Sequence, residues 1–267
     1  MFANLKKWIK RQPFVWYYLR NRKFINKIPT TQTELLPILQ ELSKKGIAKS
    51  NFSTLFPEMN WVEFSEQVYN AVADYEKNGK FSENSDKDYM NFVLGLNPSY
   101  NVNSPWAKIA EHPNLKNIAF GYFKLSSVDM RYYNIWKHEA TQGEAKGSQL
   151  WHRDREDEKI LKLFICMEDV DDTKGPFTYA PGTHKDGSVK STPRFIKEAS
   201  GVHRTTDEMM SEIVPQKEWV KATGKKGDII LADTRGYHKG GFVKEGYRLL
   251  FTCMYVSPAS ERLYFSN

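Results

Sequence analysis

The sequence predicts a mainly β fold of mixed α+β class, a barrel or jelly roll carrying a helical brace on one side. Amphipathic helical stripes are confined to the early part of the chain, short apolar segments bounded by Gly, Pro or Asp fill the part after about residue 118, and no repeat or low-complexity tract interrupts them. With 267 residues and 40% hydrophobic content the chain can bury one substantial core, and β-barrels of this length are commonly a single domain.

The opening segment stands apart. Residues 1–33 hold Lys6, Lys7, Lys10, Arg11, Arg20, Arg22, Lys23 and Lys27 and no acid, so the net charge of +7 belongs to one end and the body is close to neutral. That distribution argues against a nucleic-acid partner. Leu5, Trp8 and Ile9 recur at helical spacing among the lysines, and the aromatic run 14–19 follows Pro13. The pattern suits peripheral contact with an anionic membrane through residues 1–30; a helix packed on the body with solvated lysines accounts for it as well. Residues 1–50 are read as a basic, amphipathic N-terminal extension and 51–267 as the β domain.

Within that extension Leu35, Leu36, Ile38, Leu39 and Leu42 form a helical stripe ended by Gly46, with Pro37 confined to a first turn. A second helix is expected from Asn60 to Gly79. Asn60 and Glu63 are spaced as a capping box, and Trp61, Phe64, Val68, Val72 and Tyr75 share one face. Strands are expected over 128–136, 158–167, 175–182, 227–233 and 247–256, each short and rich in β-branched or aromatic residues. The polar stretch at about 185–224, with at most a short helix near Asp207 to Ile213, reads as an insertion serving as a lid.

Cys166 and Cys253 sit in apolar runs and behave as buried thiols, so no disulfide framework is expected. No apolar run approaches the roughly 20 residues of a membrane span, and residues 1–30 lack the apolar core and cleavage site of a secretory signal. A cytoplasmic protein, peripheral to the membrane if its N-terminus binds there, is the expectation.

The chemistry concentrates in three places. In SQLWHRDRED, His152 and Asp154 are two apart, so on an extended backbone both side chains leave the same face. His238 follows the strand over 227–233, where the chain would leave the sheet near a barrel mouth. Two imidazoles and one carboxylate make the facial triad of non-haem iron(II) oxygenases, with positions left open on the metal. Alone, His152 to Asp154 could equally be a charged strand end. Arg248, early in the last strand, needs an anionic partner if it points inward. The distal carboxylate of 2-oxoglutarate suits it, and an interior Arg–Asp pair is the alternative. Thr252 shares the Arg248 face.

WHRD, then GPFTYAPGTH, then YHKGG followed by YRLLF, over roughly residues 120–258, resembles the phytanoyl-CoA dioxygenase family of the double-stranded β-helix (cupin-like) oxygenases. The resemblance implies iron(II), 2-oxoglutarate and O2, with His152, Asp154 and His238 as ligands and Arg248 as carboxylate anchor. It further implies oxidation of a substrate, by hydroxylation of an unactivated C–H bond, with release of succinate and carbon dioxide. Leu250 and Gly240 stand where the family often has a hydroxyl, so Gln149, Asn134 and Thr252 are the other candidate co-substrate contacts. His184 resembles a family turn residue. The family acts on acyl thioesters, amino acids and secondary metabolites, and a membrane-bound N-terminus would favour a lipid-linked substrate. Two further readings remain: a cupin-like barrel with another divalent metal and non-oxidative activity, and a degenerate barrel binding membranes or acidic polymers.

Overall fold

The computed structural model describes residues 13–25, 27–78, 89–197 and 203–260; the stretch containing Leu5, Trp8 and Ile9 lies outside them. Its helices are α1 (Pro13–Asn21), α2 (Leu36–Lys45), α3 (Phe52–Leu55), α4 (Trp61–Lys77), α5 (Pro105–Ala110), α6 (Pro113–Phe123) and α7 (Asp207–Ser211). The strands are β1 (Ile47–Asn51), β2 (Met90–Phe92), β3 (Asp129–Glu139), β4 (Leu161–Cys166), β5 (Phe177–Tyr179) and β6 (Ile196–Lys197). They continue with β7 (His203–Arg204), β8 (Val220–Lys221), β9 (Asp228–Asp233), β10 (His238–Gly240) and β11 (Tyr247–Val256).

A large antiparallel sheet has the order β1-β9-β4-β11-β3-β2, and a small one the order β10-β5-β8. Single bridges join Trp151 to Thr205 and His152 to His238, so the 151–152 segment connects the β6–β7 hairpin to β10. The large sheet is buried on both faces. Its outer face, with Ile135, Leu163, Ile165, Leu231, Leu249 and Phe251, packs on the helices. Its inner face, with Ile47, Phe164, Ile230 and Leu250, packs on Phe177 and Tyr179 of the small sheet and on Ala222 just after it. Double burial is why LKLFIC and DIILAD read as continuous apolar runs instead of alternating ones.

Both expected helices are present, for the physical reasons their sequences contain. The Asn60 side chain accepts from the backbone N–H groups of Val62 and Glu63 at the start of α4. Gly46 ends α2 in the left-handed region, φ 80°. A Cβ there would collide with Tyr179 Oη and His184 Nδ1.

Several elements go beyond the sequence reading, α5, α6 and β1 among them. The chain before residue 118 already holds α5 and most of α6, and residues 47–51 form the edge strand β1, paired with β9. In α6 Gly121 obscures the helical signal. It is there for close packing, since a Cβ would lie 2.7 Å from Leu39 Cδ2 of α2. Among the described residues no helix is long and apolar enough to cross a membrane.

Candidate metal centre

The turn after β9 builds the site. Asp233 is fully buried and takes the Tyr122 hydroxyl on Oδ2 (2.5 Å) and the backbone N–H groups of Ile160 and Arg235 on Oδ1 (3.2 and 3.0 Å). Burial pushes its carboxyl up, against the pull of those hydrogen bonds. The turn so fixed grips the HRD segment. Asp154 N donates to Thr234 O (2.9 Å), Arg235 Nη1 donates to Asp154 O (2.9 Å), and His152 and His238 exchange both backbone hydrogen bonds (2.9 and 3.0 Å). Residues 86 positions apart are thereby held in register.

That register brings the predicted triad together. One ligand atom from each of His152, Asp154 and His238 lies within 4.8 Å of the others. The imidazole centroids are 4.2 Å apart, and each Nε2 is 3.9 Å from an oxygen of Asp154. His152 Nδ1 faces Leu150 O (2.8 Å) and His238 Nδ1 faces Gly236 O (3.0 Å). A carbonyl only accepts, so each Nδ1 carries the hydrogen and each Nε2 presents its lone pair to the common centre. Burial holds both imidazoles below the usual histidine range, which keeps them neutral. Burial raises the Asp154 carboxyl, but the adjacent Lys162 ammonium outweighs it and holds the group well below the carboxylate range. Two neutral nitrogens, an anionic oxygen and backbone partners behind both rings fit a divalent cation.

Lys162 was not anticipated as a site residue. Its Nζ donates to Asp154 Oδ2 at 2.7 Å, from the inward face of β4. The signal was present in the sequence: a lysine inside EKILKLFICM, even-spaced with Phe164 and Cys166.

The triad opens into a cavity of about 440 Å³, lined among others by Phe92, Tyr132, Trp136, Phe164, Met254 and Arg248. That is an ordinary size for a small-molecule site. Arg248 is 2% exposed, and burial brings its guanidinium down to about 10. Its Nη1 donates only weakly to Lys174 O (3.3 Å), its Nε has no partner, and no carboxylate among the described residues pairs with it. The interior Arg–Asp pair is absent from these residues. A buried guanidinium with spare donors facing a cavity fits an anionic ligand.

The remaining candidates are placed differently. Thr252 is buried on the same face of β11, between the cavity residues Leu250 and Met254, and its hydroxyl has no partner. Asn134 Oδ1 accepts from Leu94 N (3.2 Å) and its Nδ2 donates to Gly95 O (2.7 Å), and Gln149 Oε1 accepts from Lys146 N (3.0 Å), so both tie loops. Ser148, the neighbour of Gln149, lines the cavity instead, hydrogen-bonded to the Tyr89 hydroxyl (2.9 Å). Phe177 lines the cavity, whereas Tyr179 donates to Asp233 O (2.9 Å). Arg153 stacks over the Tyr237 ring at 3.9 Å and donates to Thr183 O. His184 is buried against Ser43 O (3.1 Å), away from the triad.

Solved structures share this fold. The epimerase SnoN in complex with Fe3+, alpha ketoglutarate and nogalamycin RO aligns with a TM-score of 0.61 at 16% identity, over 84% of this chain and 83% of that one. EctD from S. alaskensis with 2-oxoglutarate and 5-hydroxyectoine aligns with a TM-score of 0.57 at 14% identity, over 91% and 84%. AviO1 from Streptomyces viridochromogenes Tue57 gives 0.56 at 16%, over 88% and 99%. No curated protein matches the chain. The phytanoyl-CoA dioxygenase (PhyH) family pattern matches residues 63–244, which span the triad and the whole small sheet, and the chain therefore belongs to the phytanoyl-CoA dioxygenase family.

Proposed function

We propose that in this dioxygenase His152, Asp154 and His238 hold iron(II) and that Arg248 anchors 2-oxoglutarate, next to a cavity that takes a small organic substrate. The observation that carries the reading is the pairing, in one cavity, of a neutral-His, neutral-His, carboxylate donor set with a buried guanidinium that lacks an anion. When bound, iron with 2-oxoglutarate supplies oxidative decarboxylation coupled to substrate oxidation, releasing succinate and carbon dioxide. The chain's own residues do the rest. Lys162 engages one oxygen of Asp154 and leaves the other toward His152. Ser148 offers a hydroxyl to the cavity, and Thr252 holds an unpartnered one on the Arg248 face of β11. Trp136, its indole N–H held by the Tyr132 hydroxyl at 2.7 Å, forms with Phe92, Phe164 and Met254 an apolar wall that excludes water and orients a C–H bond.

The test is succinate formation from 2-oxoglutarate under air, screened over metabolite pools, with His152→Ala as control. Substrate-stimulated turnover absent from the variant is expected; turnover that survives the substitution sinks the assignment. A non-oxidative metal barrel would show no weak visible charge-transfer band with iron(II) and 2-oxoglutarate under nitrogen.

Peripheral attachment to anionic membranes through residues 1–30 is part of the same proposal, supported by the basic charge of that segment and by the exposed Tyr18 and Leu19 of α1. Flotation of the full chain with anionic vesicles, set against a chain lacking residues 1–30, tests it. Equal flotation removes it.

A further inference from the structure

The inner face of the large sheet sorts charged from apolar groups along its strands. Arg248 of β11 stands opposite His138 of β3, which stands opposite Met90 of β2. Two residues along, roughly 7 Å away at ordinary strand rise, Phe92, Trp136 and Leu250 form the next row of the cavity lining. Further on, Met254 stands opposite both Tyr132 and Lys162. An anion anchored on Arg248 occupies one end, and the wall from Phe92 to Met254 is left to the prime substrate.

Arg248 and the two histidine ligands apart, the polar side chains of the lining are engaged by the protein itself. Trp136 Nε1 donates to Tyr132 Oη (2.7 Å), Ser148 Oγ is hydrogen-bonded to Tyr89 Oη (2.9 Å), and Lys162 Nζ donates to Asp154 Oδ2 (2.7 Å). Glu156 Oε2 accepts from Arg155 N (2.7 Å), and Asn97 and His138 have protein partners as well. What remains is apolar surface. Phe92 and Trp136 are half-buried on an inner face, and both line the cavity. Phe92 and Phe164 meet the indole edge-on or tilted, with centroids 6.3 and 5.9 Å away, so neither stacks on it. A ring of a bound molecule can lie against such a surface.

Charge balance points the same way. Among the residues lining the cavity, Asp154 and Glu156 are matched by Lys162 and Arg248, and a divalent ion is matched by dianionic 2-oxoglutarate. A charged substrate group would enter with no counter-charge left for it, and burying an unpaired charge is costly.

We propose that the part of the prime substrate that enters this cavity is uncharged and apolar, a ring or short hydrocarbon skeleton lying on Phe92, Trp136 and Met254. The site thereby discriminates against carboxylate, phosphate and ammonium groups at that end. The proposal rests on the reading of the triad as the iron site and of Arg248 as the co-substrate anchor.

The probes are one skeleton in three charge states, cyclohexylmethanol, cyclohexanecarboxylate and cyclohexylmethylammonium, with the corresponding naphthalene series as a flatter set. Each is titrated at neutral pH under nitrogen into the full chain loaded with Mn(II) and saturating 2-oxoglutarate, with binding read by calorimetry. In at least one series the neutral member is expected to bind about tenfold more tightly than either ion. Phe92→Ala and Trp136→Leu are each expected to lower that affinity about tenfold, with the iron(II) and 2-oxoglutarate charge-transfer band as the check that the centre is still assembled. An ion that binds as tightly as its neutral partner in both series, no binding by either neutral probe, or neutral affinity retained in both variants overturns the proposal. The same band in the unsubstituted chain separates the failures. A band without a neutral preference removes the substrate class alone, and absence of the band removes the co-substrate reading and this proposal with it.

Discussion

Lys162 and Arg248 are buried cations with different partners, and their substitutions have different signatures. Lys162 neutralises Asp154 at 2.7 Å and competes electrostatically with any cation held by that carboxylate. Lys162→Met is expected to tighten Mn(II) binding at least about tenfold, because removing a neighbouring unit charge is worth several kcal/mol at an effective dielectric near 20. Succinate formation should nevertheless fall about tenfold, because Asp154 loses the contact that orients it. Calorimetric titration of the metal-free protein alongside a succinate assay checks both signs. Arg248→Leu leaves metal affinity unchanged and raises the KM for 2-oxoglutarate about a hundredfold, since a bidentate anchor is lost in a buried site. Initial-rate kinetics at fixed iron measure that shift. At this scale the sequence was most legible. Even spacing announced that His152 and Asp154 share a face and that Arg248 shares one with Thr252. Asn134 and Gln149 were not separable from true cavity residues, because their loop partners, Leu94, Gly95 and Lys146, are fixed by folding.

Element boundaries follow from local chemistry wherever a cap is written in the chain. The Asn60 side chain satisfies two orphan N–H groups of α4, so Asn60→Ala is expected to cost about 1 kcal/mol in a urea melt. Gly46→Ala carries a larger penalty, about 2 kcal/mol or more, since the left-handed backbone is strained for alanine and the new methyl meets Tyr179 and His184. These positions were readable because the interactions are local. β1 was not, since IAKSN lacks the apolar pattern of a strand and exists by pairing with β9. α6 was hidden because it is buried by α2 at a glycine that weakens a helix in isolation.

Across the whole molecule, the two thiols lie on opposite faces of the large sheet, Cys253 against the helices and Cys166 in the inter-sheet core. Burial pushes both up to about 12. At pH 8 the folded protein is expected to resist iodoacetamide, and both thiols should be alkylated once guanidinium unfolds it; mass spectrometry counts the adducts. The sequence by itself determined the helical brace ahead of the principal strands, the buried thiols, the basic N-terminus and the residue types of the centre, because each depends on periodicity, composition or spacing within one segment. Only the tertiary structure decided that His238 closes against His152, that Lys162 holds Asp154, and that Arg248 has no carboxylate partner among the described residues. Those facts depend on strand register between segments tens of residues apart, which packing sets and no local pattern encodes.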